Sequence, residues 1–186
     1  MYGMVNKAIR EMVIQKHGED TWRKTYEKVG SPADFDSFAR YKDSITYELV
    51  GAIADVLEEP ADKVLHKLGI FWVMDVALVH YRDLMESSGT DFVDFLRGLD
   101  HMHSRIKVTF PAFSPPSFRC IVLREGVCEL DYYSDRKGLL PFVKGLLEGL
   151  AIHFKQEIQV RDIPDEDHPM PCKRMEISYS STKRVV

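Results

Sequence analysis

The chain has 186 residues and a net charge of −4, with 45% hydrophobic and 29% charged residues. That length suffices for one large core or two small subdomains, and an acidic balance without any basic block argues against a nucleic-acid surface. The first residues interleave apolar groups with Asn6, Lys7, Arg10 and Glu11, which is not a signal peptide, and no run of about 18 apolar residues is present to span a membrane.

Helical patterns fill the first hundred residues. Val5, Ile9, Met12 and Val13 form one apolar stripe that ends near His17-Gly18, and Asp20 is placed to cap a second short helix carrying Trp22 and Tyr26. Ser31-Pro-Ala-Asp-Phe-Asp36 is a break. A third helix carries Tyr47, Val50, Ile53, Ala54 and Leu57 and closes before Pro60. A longer one starts at Asp62 and runs through Leu65, Leu68, Trp72, Val76 and Val79. After Ser87-Ser-Gly-Thr90, residues Phe92, Phe95, Leu96, Leu99, Met102 and Ile106 recur at three- and four-residue steps, a further amphipathic helix.

Beyond it the pattern changes. Phe110 to Pro116 holds three prolines and reads as a rigid extended connection. Phe118–Leu123 and Cys128–Tyr133 read as a hairpin around Arg124-Glu-Gly-Val127. Leu139, Val143, Leu146, Leu147, Leu150 and Phe154 give a strong helical stripe, with Pro141 in its first turn. Glu157–Val160 and Lys173–Tyr179 complete a small, mostly antiparallel sheet around an acidic, proline-bearing loop, and Ser180 to Val186 read as frayed. Helices first, then a sheet with a helix packed on it, is an α+β arrangement. It is expected as one domain over 1–186, with a helical subdomain at 1–60 and a sheet-bearing subdomain at 61–186.

Two groups of residues carry chemistry. On a helical wheel at about 100° per residue, His103 falls about 20° from Phe92, inside the apolar stripe, whereas His101 falls on the wet face. An inward histidine is ordinarily a hydrogen-bonded core residue. It is also the commonest metal ligand, and one without a second ligand nearby suits haem iron better than zinc. About thirty residues later, alternation along a strand brings Tyr132, Ser134 and Arg136 to one face: a phenol, a small hydroxyl and a guanidinium. They suit a carboxylate or phosphate, with an ordinary polar surface as the competing reading. Cys120, Cys128, Cys172 and His168 could supply four zinc ligands, but none has close Cys-x-x-Cys spacing. Reduced thiols in a cytosol are the simpler reading of three cysteines.

The chain resembles the haem-nitric oxide/oxygen-binding (H-NOX) domain, also the regulatory domain of soluble guanylate cyclases. The segments that carry the resemblance span nearly its whole length. They are Met1-Tyr-Gly-Met-Val-Asn-Lys-Ala8, His17-Gly-Glu-Asp-Thr-Trp22, Asp43-Ser-Ile-Thr-Tyr-Glu-Leu-Val50, Leu99-Asp-His-Met-His103, Phe110 to Cys120, Tyr132-Tyr-Ser-Asp-Arg136 and Gly145-Leu-Leu-Glu-Gly149. The resemblance implies haem b (protoporphyrin IX iron) with His103 as proximal ligand, Tyr132, Ser134 and Arg136 on the propionates, and Pro116 pressing the porphyrin out of plane. It places Val5, Trp72 and Phe142 in the distal pocket. In oxygen-binding members a tyrosine matches Phe142; phenylalanine cannot donate a hydrogen bond, which leaves the Trp72 indole as the one nearby donor.

The implied function is a non-enzymatic, cytoplasmic gas sensor for nitric oxide and carbon monoxide with poor oxygen affinity. It would signal by conformational change to a histidine kinase or to a nucleotide cyclase or phosphodiesterase protein; monomer and homodimer both stay open. An oxygen-binding haem protein or haem carrier without a signalling role is the alternative. Nothing resembles a catalytic triad, a phosphate-binding glycine loop or a paired-carboxylate site.

Overall fold

A computed structural model describes residues 1–110, 113–164 and 172–181. Helices α1 (Gly3–His17), α2 (Glu19–Val29) and α3 (Asp43–Leu57) come first. Gly18 (φ 86°) separates α1 from α2, and Gly30 (φ 64°) ends α2 in the left-handed conformation that glycine adopts without penalty. Asp20 is not a cap: α2 already begins at Glu19 behind Gly18, which puts Asp20 inside the first turn, where it pairs with Arg23.

Helix α4 (Ala61–Phe71) follows Pro60 and does not run uniformly to Val79. It widens into a π-helical stretch at Trp72–Ala77, narrows again in α5 (Leu78–His80), and is followed by α6 (Arg82–Glu86), a short helix not expected from the residue pattern. Periodicity cannot separate an α from a π winding over six residues, because the apolar positions stay on the same side. Helix α7 (Phe92–Thr109) starts where Asp91 accepts bonds from the Val93 and Asp94 amides, 2.9 Å each. Strands β1 (Ser117–Arg124) and β2 (Val127–Tyr133) form the expected hairpin. Then come α8 (Leu140–His153), β3 (Gln156–Ile163) and β4 (Lys173–Ser181), giving an antiparallel sheet of order β1-β2-β4-β3. Ser180 belongs to β4, paired with Glu157, so the frayed end expected from Ser180 does not begin there; residues 182–186 lie outside the described part. The Phe110–Pro116 connection is not simply extended either, since the Phe113 amide turns back to the Phe110 carbonyl at 2.8 Å.

Two apolar clusters result. One gathers Ile9, Val13, Trp22, Leu49, Ile53, Val64, Leu68 and Phe71 from the first four helices. The other gathers Val73, Phe92, Phe95, Leu96, Leu130, Val143, Leu147, Met175 and Ile177 around the inner face of the sheet. Trp72 packs against both. What joins them is the crossing of α4 with α8, which is backbone against backbone: a Cβ on Gly69 would stand 2.3 Å from the Phe142 carbonyl oxygen, and one on Gly145 would stand 2.0 Å from that of His66. Gly145→Ala is therefore expected to force the helices apart and cost about 3 kcal/mol, the upper end for overpacking, because rigid backbone rather than a flexible side chain must yield. Urea unfolding of the two proteins side by side measures it.

Candidate haem pocket

His103 sits two-thirds of the way along α7, half-buried, on the inward side that the helical wheel assigns it, while His101 is exposed. Its ring lies 6.1 Å from that of Phe113 and 6.0 Å from that of Phe118. Nδ1 is buried and makes no hydrogen bond. Burial holds the imidazole pKa below the ordinary histidine value, against the weaker opposing pull of the Pro116 carbonyl and of Asp100. The Pro116 carbonyl faces the ring, but the buried Nδ1 makes no hydrogen bond of ordinary geometry, which is costly for a buried polar atom.

Pro116 is brought beside His103 by a device the sequence analysis did not single out. Asp100, one turn earlier on α7, accepts from the Phe118 amide at 2.7 Å through one carboxylate oxygen and from the Ser117 hydroxyl at 2.8 Å through the other. This ties the start of β1 to α7. The signal for it was present, since Asp100 stands inside the Leu99–His103 segment, but an acidic residue on a wet helix face reads as a solvated charge.

The Tyr132, Ser134 and Arg136 trio is assembled differently from the expected strand face. β2 ends at Tyr133, so only Tyr132 belongs to the strand. Its ring packs on Phe118 at 5.4 Å, which places it one aromatic contact away from His103. Beyond the strand the Arg136 amide donates to Ser134 Oγ at 3.1 Å, and this local turn swings the guanidinium back. Arg136 Nε then donates to Asp43 at 2.9 Å and Nη1 to the Ser114 carbonyl at 3.1 Å. Asp43 also binds the Met1 ammonium. Tyr47, one turn along α3 from Asp43, donates to the Lys137 carbonyl at 3.0 Å. Burial, then the neighbouring Asp43 charge, pushes the Tyr47 phenol above its ordinary pKa. Asp43 and Tyr47 thus join the site from the other end of the sequence; their four-residue spacing on a helix was the available clue.

Trp72 and Phe142 stand on neighbouring helical segments, each three residues from the Gly69–Gly145 crossing, and Val5 is half-buried on α1. The Trp72 indole N–H makes no hydrogen bond to any described residue, in contrast to Trp22, whose indole donates to the Ala33 carbonyl at 2.9 Å. A surface cleft of about 410 Å³ lined by Arg10, Glu19, Phe71 and Asp75 contains none of these residues. No cluster of three or more metal-ligating side chains occurs among the described residues; Cys120, Cys128 and Cys172 do not form one, and His168 lies outside the described part.

The donor set fits a flat apolar group with carboxylate arms. One neutral imidazole nitrogen is set among aromatic rings, and at the edge stand the Tyr132 hydroxyl and Arg136 Nη2, neither bonded to a described residue.

Comparison with known proteins agrees with this geometry. A model of the family described as Haem-NO-binding matches residues 2–162. Among curated proteins, soluble guanylate cyclase gcy-31 of Caenorhabditis elegans is 28% identical over 171 residues, covering 91% of this chain and 24% of the relative. Soluble guanylate cyclase gcy-32 of the same organism is 32% identical over 155 residues, covering 81% and 23%. The chain thus spans about a quarter of the length of these relatives. Among solved structures, an H-NOX protein from S. oneidensis in the Fe(II)NO ligation state superposes with a TM-score of 0.84 at 24% identity, covering 97% of this chain and all of the other. An oxygen-binding H-NOX domain related to soluble guanylate cyclases, in its oxygen complex, superposes at 0.81 with 17% identity, covering 97% and 96%. The fold is therefore shared between a protein solved with nitric oxide and one solved with oxygen.

The ion pair at the pocket edge has a pH signature. The hydrogen bond from the Met1 ammonium, together with Arg136, holds the Asp43 carboxyl below the ordinary aspartate value, against burial. A depressed folded-state pKa contributes stability that is present above the unfolded value, near 3.9, and is lost as pH falls through the folded one. Asp43→Asn is expected to cost under about 1 kcal/mol at pH 7, since the carboxylate is partly exposed. The difference from the parent should shrink as pH falls below about 4, as read from urea midpoints at pH 7 and pH 3.

Proposed function

The chain belongs to the Haem-NO-binding family, and on that premise we propose that it is a haem b gas sensor selective for nitric oxide, also binding carbon monoxide, with poor oxygen affinity. The family is a regulatory haem-binding one, not itself catalytic. The observation that carries the reading is the half-buried imidazole of His103, whose Nδ1 makes no hydrogen bond of ordinary geometry and whose surroundings keep it neutral. When bound, ferrous haem would supply the metal at which a diatomic gas is held.

The roles of this chain's residues follow from their chemistry. His103 would hold the iron, with Phe113 and Phe118 flanking its ring. Pro116, tethered through the Asp100 bonds to Ser117 and Phe118, would press a stiff ring against the bound haem. Tyr132, Ser134 and Arg136 hold the propionates; Arg136 does so while keeping Asp43, because a guanidinium carries five N–H donors. Val5, Trp72 and Phe142 line the distal side. Oxygen as a ligand is favoured by a hydrogen-bond donor, and nitric oxide depends on one much less. Phe142 offers none.

The signal is a movement of α7 relative to the helical subdomain, 1–60 against 61–186, transmitted through the Asp100 tether and the Asp43–Arg136 pair. A cytoplasmic histidine kinase, or a cyclase or phosphodiesterase protein, would read it. The guanylate cyclases among the relatives favour a cyclase. A second reading, an oxygen-binding haem protein or carrier without a signalling role, rests on Trp72, whose N–H is unspent within the described residues.

The deciding measurement is the absorption spectrum of the reduced protein under anaerobic conditions, before and after each gas. A five-coordinate ferrous spectrum that changes with nitric oxide and not with air-level oxygen is expected; a stable oxygen complex would favour the second reading. His103→Gly should lose that spectrum and regain it with added imidazole, whereas an unchanged spectrum would remove His103 from the iron. Phe142→Tyr should raise oxygen affinity at least about tenfold, the effect of one new hydrogen bond to a ligand that gathers negative charge.

A further inference from the structure

Phe118, Cys120 and Val122 of β1 share one sheet face with Tyr132, Leu130 and Cys128 of β2, their respective partners in the ladder. Cys120 is therefore staggered from Cys128 by one pair along that face, and the Cys128 thiol is the neighbour that bears most on the Cys120 thiol. The two differ in character. Cys128 is fully buried in the sheet-side core, while Cys120 is partly accessible on an edge strand, at the seam with α7. The Cys128 thiol, aided by the Arg97 guanidinium of α7, holds the Cys120 thiol below its ordinary pKa against burial; the same contact, with burial, pushes Cys128 well up. A partly accessible thiol beside a second thiol and a cation is the arrangement that reactive cysteines have and buried structural ones lack.

We infer that Cys120 and Cys128 form a peroxide-sensitive dithiol, in which Cys120 is the attacking thiol and Cys128 the resolving one. The Cys120 thiolate attacks one oxygen of the peroxide, the O–O bond breaks, and Cys120 becomes a sulfenic acid as hydroxide or alkoxide leaves. Cys128 then loses its proton and its sulfur attacks Sγ of Cys120. The S–O bond breaks, water leaves, and a Cys120–Cys128 disulfide remains. Two thiols are oxidised by two electrons and one peroxide is reduced.

The stagger makes this bond a labile one. Disulfides favour short Cβ–Cβ separations, and a diagonal pair meets that only if the strand shifts. β1 can shift because it is an edge strand with a register irregularity between Val122 and Arg124, immediately beyond the pair. Strained disulfides are the readily reduced, regulatory kind. The inference does not depend on haem.

The test is to oxidise the reduced full chain with hydrogen peroxide under native conditions and map the products by mass spectrometry. Loss of two hydrogens with a Cys120–Cys128 linkage is expected, formed at least about tenfold faster than any oxidation of Cys172. Cys128→Ser should stop at a sulfenic acid on Cys120, trapped by dimedone, and Cys120→Ser should leave Cys128 unoxidised. Oxidation of Cys172 first, or a Cys120→Ser chain that reacts as fast as the parent, would overturn the assignment. Should Cys128→Ser not fold, the linkage map of the parent chain decides alone.

Discussion

The structure depends on the contact of two helix backbones where Gly69 meets Gly145. Interhelical distances are normally set by side chains, but where Gly69 meets Gly145 no side chain separates α4 from α8; α4 faces the helical cluster, and α8 contributes to both clusters. Two of the three residues of the proposed distal side, Trp72 and Phe142, inherit their positions from that crossing. Trp72 lies one turn beyond Gly69, and Phe142 one turn before Gly145. A pocket that must discriminate between ligands of nearly equal size needs walls placed to a fraction of an ångström, and direct backbone contact is the least compliant way to place them.

The opposite wall is fixed by polar groups. Asp100 fastens the first residues of β1 to α7, and Asp43 fastens the turn after β2 to α3. Both carboxylates lie on helices, and both reach segments remote in the chain. The rigid and the releasable contacts therefore fall on different sides of the site. Packing at the glycines has no alternative arrangement, whereas an ion pair at a wet edge can be exchanged for another carboxylate at little net cost. A switch needs that asymmetry: one wall that stays and one that lets go.

Much of this was legible in the sequence. Three- and four-residue periodicity located α1, α3, α7 and α8, the alternating runs located the hairpin, and the wheel separated His103 from His101. What escaped was decided by tertiary contact. Asp100 and Asp43 look like ordinary surface acids until the chain folds a strand and a turn against them. Ser134 and Arg136 were expected on the face of a strand that ends one residue too early, and a hydroxyl-to-amide turn delivered them to the site instead. The π winding at Trp72 leaves the apolar pattern unchanged, and the glycine crossing requires two segments that periodicity treats separately.

The π winding at Trp72–Ala77 has a consequence for how such a pocket diversifies. A wide turn is an α-helix holding one surplus residue, so it can be made or erased by a single-codon insertion or deletion. Erasing it would rotate every following side chain by about 100° relative to Gly69. A different residue would then face the pocket, while the glycine crossing upstream stayed in register. Relatives could thus exchange the side chain that meets the gas without any point substitution at that position, and an ungapped alignment through this helix would pair residues that do not occupy the same place in space.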